Sequence, residues 1–228
     1  MTINDIASTQ SETHDTAARR IRVWDPLVRV IHWGLVGAFA TAWLTAEDIQ
    51  LVHQPAGYAV AGLLALRIVW GLVGSRYARF AQFVRGPAQT LSYIGDMARG
   101  REPRYLGHNP AGAAMIVAIL LTLSGTAFTG WLLEPSDRAA AAVAQVQIVV
   151  PAFADDDGIQ AEAVTDGHRE NRTGGPLKEV HEALTNLMLV LVALHIGGVA
   201  LASFRHRENL VRAMVTGRKR SPAPGDIA

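Results

Sequence analysis

Four histidines, His32, His53, His181 and His195, fall in or beside the most apolar stretches of this chain. Ionisable side chains in such surroundings are rare and by default mark function. Neutral imidazole is also the commonest metal ligand. His181 and His195 are 14 positions apart, about four helical turns, so both point to nearly the same face of a helix. With a rise of ~1.5 Å per residue they stand ~21 Å apart along the axis. That is too far for one metal centre and suits two cofactors at two depths. A hydrogen-bonded structural histidine is the bland alternative. It accounts for one such residue far more readily than for four.

Composition narrows the chemistry. The chain has no cysteine among its 228 residues. Disulfides, Cys-ligated zinc, Cys-ligated iron–sulfur clusters and covalent c-type haem are therefore excluded. Hydrophobic residues make up 50% and charged residues only 18%, against about a quarter charged in a soluble domain. The formal net charge of +1 gives no bulk attraction to nucleic acid, so no nucleic-acid partner is expected. The first 20 residues are polar and lack the apolar core of a cleavable secretion signal.

Four stretches are long enough to span hydrocarbon, which needs roughly 20 apolar residues. They cover about residues 27–46, 55–74, 110–133 and 182–204. Pro55 and Pro110 mark the starts of the second and third, where proline is tolerated. Trp24, Trp33, Trp43, Trp70 and Trp131 lie near span ends, as an aromatic belt requires.

The charges between the spans set an orientation. Arg19, Arg20 and Arg22 precede the first span, Arg76, Arg79, Arg85, Arg99, Arg101 and Arg104 join the second to the third, and Arg205, Arg207, Arg212, Arg218, Lys219 and Arg220 follow the fourth. The link between the first two spans has Glu47 and Asp48 and no Lys or Arg, and the 134–176 link is rich in Asp and Glu. The positive-inside rule puts both termini in the cytoplasm.

This topology gives each histidine a depth. His53 and His181 lie at the outer side, and His32 and His195 toward the cytoplasm. Each pair offers two imidazoles from different helices, one for each axial face of a haem iron. The expected fold is all-α: an integral membrane four-helix bundle binding two b-type haems in its core, ligated by His53–His181 and His32–His195. Two histidines per depth are too few for the usual four-coordinate zinc site.

Other residues follow from that frame. Gly34, Gly57, Gly125, Gly130, Gly197 and Gly198 leave helix surfaces bare enough for a flat macrocycle, or serve ordinary close packing equally well. Arg67, inside the second span, is expected to pair with a propionate of the inner haem; the alternative is snorkelling to head groups. Arg29 and Arg76 are propionate or lipid contacts. His108 is a propionate or quinone contact, or a solvated residue capping a turn. The chain divides into a disordered cytoplasmic tail 1–20, a membrane domain 21–215 with an outer loop 134–176, and a cytoplasmic tail 216–228. The AAAAVAQVQIVV stretch of the outer loop is a short surface helix or strand, or part of an irregular loop.

These residues carry a family resemblance. The W-D-P-x-x-R-x-x-H-W segment Trp24–Trp33 resembles the first-helix signature of the bacterial cytochrome b561 and Ni–Fe hydrogenase b-type cytochrome family. So do His53 with Gly57, the Arg67–Gly71 run, Gly74–Phe80, Gly107–Pro110, and His181-Glu182 followed by His195, together covering roughly residues 20–215. The resemblance implies a di-haem cytochrome of the bacterial inner membrane, with the four histidines as axial ligands. It also implies electron transfer between the quinone pool and another redox partner, such as a periplasmic cytochrome c or redox subunit, in a respiratory chain. No side chain needs to act as acid or base between the haems. Two alternatives stay open: a membrane-anchor subunit of a larger oxidoreductase such as a Ni–Fe hydrogenase, and a haem-free transporter or structural protein. Membrane lipid is an expected partner, and a homodimer is left open.

Overall fold

The structure is a computed structural model, and it describes residues 20–134 and 175–227. The expectations for the N-terminal tail before Arg20 and for the outer loop between Glu134 and Gly175 lie outside the described residues. Among these residues the chain forms seven helices and one two-stranded sheet.

The helix α1 spans Pro26–Leu44. Asp25 starts it: its Oδ1 accepts the Val28 amide at 2.9 Å, and Pro26 occupies the first turn. A cap of this kind satisfies an otherwise orphaned donor and contributes ~1 kcal/mol. The second long helix, α2, covers Gln50–Val73, so Pro55 lies inside it instead of at its start. Proline removes only one intrahelical bond there, and the helix continues through it. His53 is thereby placed in the first turn of α2 and not in the preceding link. Two short helices follow, α3 (Phe80–Phe83) and α4 (Pro87–Ala98). Helix α5 spans Pro110–Leu133; Asn109 caps it by accepting the Gly112 amide at 2.6 Å. Helix α6, Gly175–Arg205, has 31 residues. At ~1.5 Å per residue it outruns a hydrocarbon core of ~30 Å, so it projects beyond the bilayer. Finally α7 (Leu210–Thr216) ends at Gly217, whose φ of +76° suits glycine.

The long helices pack as two hairpins, α1 on α2 and α5 on α6, and α2 joins the hairpins through α5. Val60, Leu64, Leu123 and Met188 form the central cluster, with Leu35, Phe39, Ile119 and Val192 packed around it. Outward-facing side chains such as Val69, Leu121, Ile196 and Phe204 remain exposed. All four long helices are apolar and long enough to cross a membrane, where exposed apolar surface costs nothing. Polar groups inside α5 are satisfied locally: Ser124 donates to Leu120 O and Thr126 to Thr122 O, as a hydrocarbon setting demands.

One end of the bundle is capped by polar structure. Strand β1 (Arg20–Arg22) pairs antiparallel with β2 (Arg218–Arg220). The amides of Val23 and Trp24 donate to Gly217 O at 2.9 and 3.2 Å. Arg104, buried, is held by Glu208 at 3.0 Å and by Asp226. Lys219, also buried, donates to the carbonyls of Tyr105 and Leu106 at 3.3 and 3.0 Å. The segment expected as a C-terminal tail is thus bound to the bundle, and Ile227 pairs with Tyr105. Removing one partner of such a buried charge cluster costs roughly 3–5 kcal/mol. This cap end carries the starts of α1 and α5 and the finishes of α2 and α6; the opposite end is the far end.

Candidate functional site

At the cap end, His32 on α1 faces His195 on α6, with ring centroids 6.4 Å apart and planes inclined by 49°. These are helices from different hairpins, and little direct packing joins them. A metal bound axially by two imidazoles sets their centroids ~6 Å apart, from metal–nitrogen bonds of ~2 Å and a ring radius of about 1 Å. The separation fits an iron between the rings. Among the described residues no three His, Cys, Asp or Glu side chains converge on one point. Two axial imidazoles suit a metal whose equatorial positions a macrocycle already fills.

At the far end, His53 on α2 and His181 on α6 lie within electrostatic range of each other. Each has its Nδ1 engaged. His53 Nδ1 donates to Ala42 O of α1 at 2.8 Å. His181 Nδ1 donates to Thr129 Oγ1 of α5 at 2.9 Å, and Thr129 in turn donates to Gly125 O at 2.9 Å. A donating Nδ1–H fixes the tautomer and leaves the Nε2 lone pair bare for a metal. Gly130 makes room: a Cβ there would stand 3.1 Å from His181 Cε1. Gly57, Gly197 and Gly198 have no heavy atom within 4 Å of where a Cβ would sit, so these helix surfaces are flat beside the ligand positions.

Three buried polar atoms lack a partner among the described residues: Arg29 Nε, His32 Nδ1 and His108 Nδ1. All belong to the cap end. Orphaned groups of this kind cost about 1–3 kcal/mol each and call for an unplaced partner. An anionic ring substituent beside Arg29 answers the first. A b-type haem therefore fits the residues present.

Arg67 is buried on α2, where its Nη1 donates to Ala78 O at 3.3 Å and its guanidinium lies 4.9 Å over the Phe80 ring. It reaches toward the cap, with most of its donors left over. His108 is half-buried and is not the cap, since Asn109 caps the turn. It stacks between Trp24 and Phe83, with centroids 4.5 Å from each. Burial pushes its imidazole down to about 3, helped by the charge of Arg67, so it is neutral at physiological pH.

Two partners escaped the sequence. Thr129 orients His181 but is one of several hydroxyls in α5, and no spacing singled it out. Asp25 does more than cap α1: its Oδ2 accepts Trp70 Nε1 at 3.2 Å and the Ser75 hydroxyl. Burial raises its pKa, but the bonds from Ser75, the Val28 amide and Trp70 hold the carboxyl below its ordinary value. All three side chains stand in motif segments, but only the fold brings positions 25, 70 and 75 together.

No curated protein and no solved structure matches the chain. Residues 23–217 match the family model of the prokaryotic cytochrome b561. That stretch contains His32, His53, His108, His181 and His195 and leaves out both cap strands, Asp226 and Ile227. The chain belongs to the prokaryotic cytochrome b561 family, membrane proteins that bind b-type haem and transfer electrons across the bilayer.

Proposed function

We propose that this chain holds two haems, one between His32 and His195 and one between His53 and His181, and passes electrons between the quinone pool and a periplasmic redox partner. The 6.4 Å facing of His32 and His195 carries this reading. When bound, each haem supplies a one-electron centre whose potential is tuned by ligands and surroundings. The remaining work belongs to the chain. The Ala42 carbonyl and Thr129 hold the far-end imidazoles in the ligating tautomer. Arg29 and Arg67 balance propionate charge at the cap end. Trp24, Phe83 and the stacked His108 keep water from that end. The 14-residue spacing on the continuous helix α6 separates the centres by ~21 Å between ligands, which replaces one long transfer across the membrane by shorter ones. The Arg-rich segments gathered at the cap end support a cytoplasmic orientation for it, with the bacterial inner membrane as the setting.

The test is spectral and stoichiometric. Purified protein is expected to show reduced b-type bands and two haems per chain by haemochrome assay. His32→Ala and His195→Ala are expected to lose one and the same haem, His53→Ala and His181→Ala the other. One haem per chain, or loss of a common haem on His53→Ala and His195→Ala, overturns the pairing.

A further inference from the structure

Beside the cap lies a basic cleft that contains none of the four proposed haem ligands. Its inner part is lined by Arg76, Arg85 and Tyr105, and its wider part, about 370 Å³, by Arg85, Tyr105, Gln89, Ser92 and Asp96. A space of this size is at the lower end of small-molecule sites. Neither arginine has a carboxylate partner among the described residues. Arg76 lies over the Tyr77 ring at 5.8 Å, and Arg85 Nη2 donates only to Gln82 O at 3.1 Å. Both therefore keep most of a five-donor fork directed at nothing acidic. Such forks match phosphate oxygens.

The helix that walls the cleft says what brings the phosphate. On α4, Gln89, Ser92 and Asp96 line the cleft, while Leu91 and Ile94, 70% and 42% exposed, stand elsewhere on its surface. Val84, just before the helix, is 43% exposed. Helix α4 packs on α5, a membrane-crossing candidate that begins at Pro110, itself part of the cleft wall. A short amphipathic helix at the mouth of a membrane bundle, with apolar residues bare, lies in the bilayer interface. Its polar side then faces the layer of lipid head groups.

We propose that this cleft binds one phospholipid with a glycerol head group, its phosphate on Arg76 and Arg85 and its hydroxyls on Asp96, Gln89 and Ser92, with the acyl chains in the surrounding bilayer. Two arginines against Asp96 leave the cleft one net positive charge, which matches a phosphodiester whose head group is otherwise uncharged, and Asp96 accepts from that head group's hydroxyls. An ammonium head group is the competitor, because it too would meet Asp96.

The experiment uses full-length haem-loaded protein, stripped of lipid in detergent. Phosphatidylglycerol, phosphatidylethanolamine and inorganic phosphate are added in turn. Binding is read by native mass spectrometry and by the temperature at which the haem absorption is lost. One phosphatidylglycerol per chain is expected to bind saturably and raise that temperature. Arg76→Gln with Arg85→Gln is expected to weaken it by about tenfold or more. Arg79→Gln with Arg99→Gln removes the same charge from exposed positions outside the cleft and is expected to leave binding unchanged. Ser92→Glu, which adds a negative charge to the cleft while keeping both arginines, is expected to weaken it as well. Equal loss in the Arg79/Arg99 pair overturns the site in favour of a diffuse basic surface. Equal binding of phosphatidylethanolamine overturns the head-group assignment. Saturation by inorganic phosphate at the same concentration makes this a site for free anions and overturns the lipid. All three outcomes leave the histidine pairing untouched, since it is read from haem content.

Discussion

The two ends of the bundle hold their histidines by different means. At the far end each imidazole is oriented by its neighbours inside the helices: His53 by the Ala42 carbonyl, His181 by Thr129. At the cap end His32 Nδ1 has no partner, and Arg29 Nε and His108 Nδ1 share that lack. Order there comes from the cap, from Asp25 bridging the start of α1 to Trp70 and Ser75 and from the terminal strand lying over Trp24. The far-end imidazoles are therefore held by direct hydrogen bonds from two other helices. At the cap end no such bond reaches His32 Nδ1, and the cap around it supplies the order.

The largest expected effect separates the two centres outright. Each single His→Ala change at one end should remove about one of two haem equivalents and leave the spectrum of the other end intact, read by haemochrome assay and redox titration. Next comes Thr129→Val. It removes the Thr129 acceptor and leaves His181 only the Thr126 backbone, a loss of about 1 kcal/mol. Far-end haem affinity should fall ~10–100-fold, with the cap-end haem unchanged; equal loss at both ends would erase the contrast. Asp25→Ala should do the converse. It removes a helix cap worth ~1 kcal/mol together with the Trp70 and Ser75 bonds, and should lower thermal stability and haem retention at the cap end first.

Acid should sharpen the same contrast. Burial pushes His108 down to about 3. Glu102 is raised by burial but held below its ordinary value by Arg205, and Asp226 likewise by the Ala223 amide and Arg104. In every case the folded pKa lies below the unfolded one, so the unfolded chain binds more protons and stability falls as pH drops. For His108 the loss runs from pH 6.5 toward about 3, and the carboxylates add to it below about pH 4.5. The cap-end haem should be released first in acid, followed by absorption against pH, and His108→Leu should flatten the part above pH 4.5. The smallest effect is expected from Lys178→Ala at the far end. Its pair with Glu182, 3.5 Å apart and more than half exposed on both sides, is worth at most a few tenths of a kcal/mol, and neither haem should respond.

The sequence carried much of the fold because a bilayer imposes length and apolarity on each spanning segment. Those constraints are local, so four spans could be read with little error except where α2 and α6 start earlier than expected. Helix starts were legible at Pro110, where Asn and Pro stand together, and misleading at Pro55, because proline near a helix start and proline inside one look alike in sequence. The far-end hydrogen bonds were not legible. A carbonyl acceptor such as Ala42 O leaves no mark on residue type, and Thr129 is one hydroxyl among several on α5. The basic C-terminal residues read as a cytoplasmic tail, since nothing local distinguishes a buried Lys219 from an exposed lysine.

By itself, then, the sequence determined that this chain crosses a membrane four times, that it belongs with haem-binding cytochromes, and which four histidines are spaced for two depths. Periodicity and charge alternation act along the chain, and they suffice for that. Only the tertiary structure decided which carbonyl orients His53, which hydroxyl orients His181, and that residues 218–227 close one end of the bundle. Those facts depend on atoms far apart in sequence, such as Arg104 and Asp226, meeting in a buried place where each polar group must find a partner.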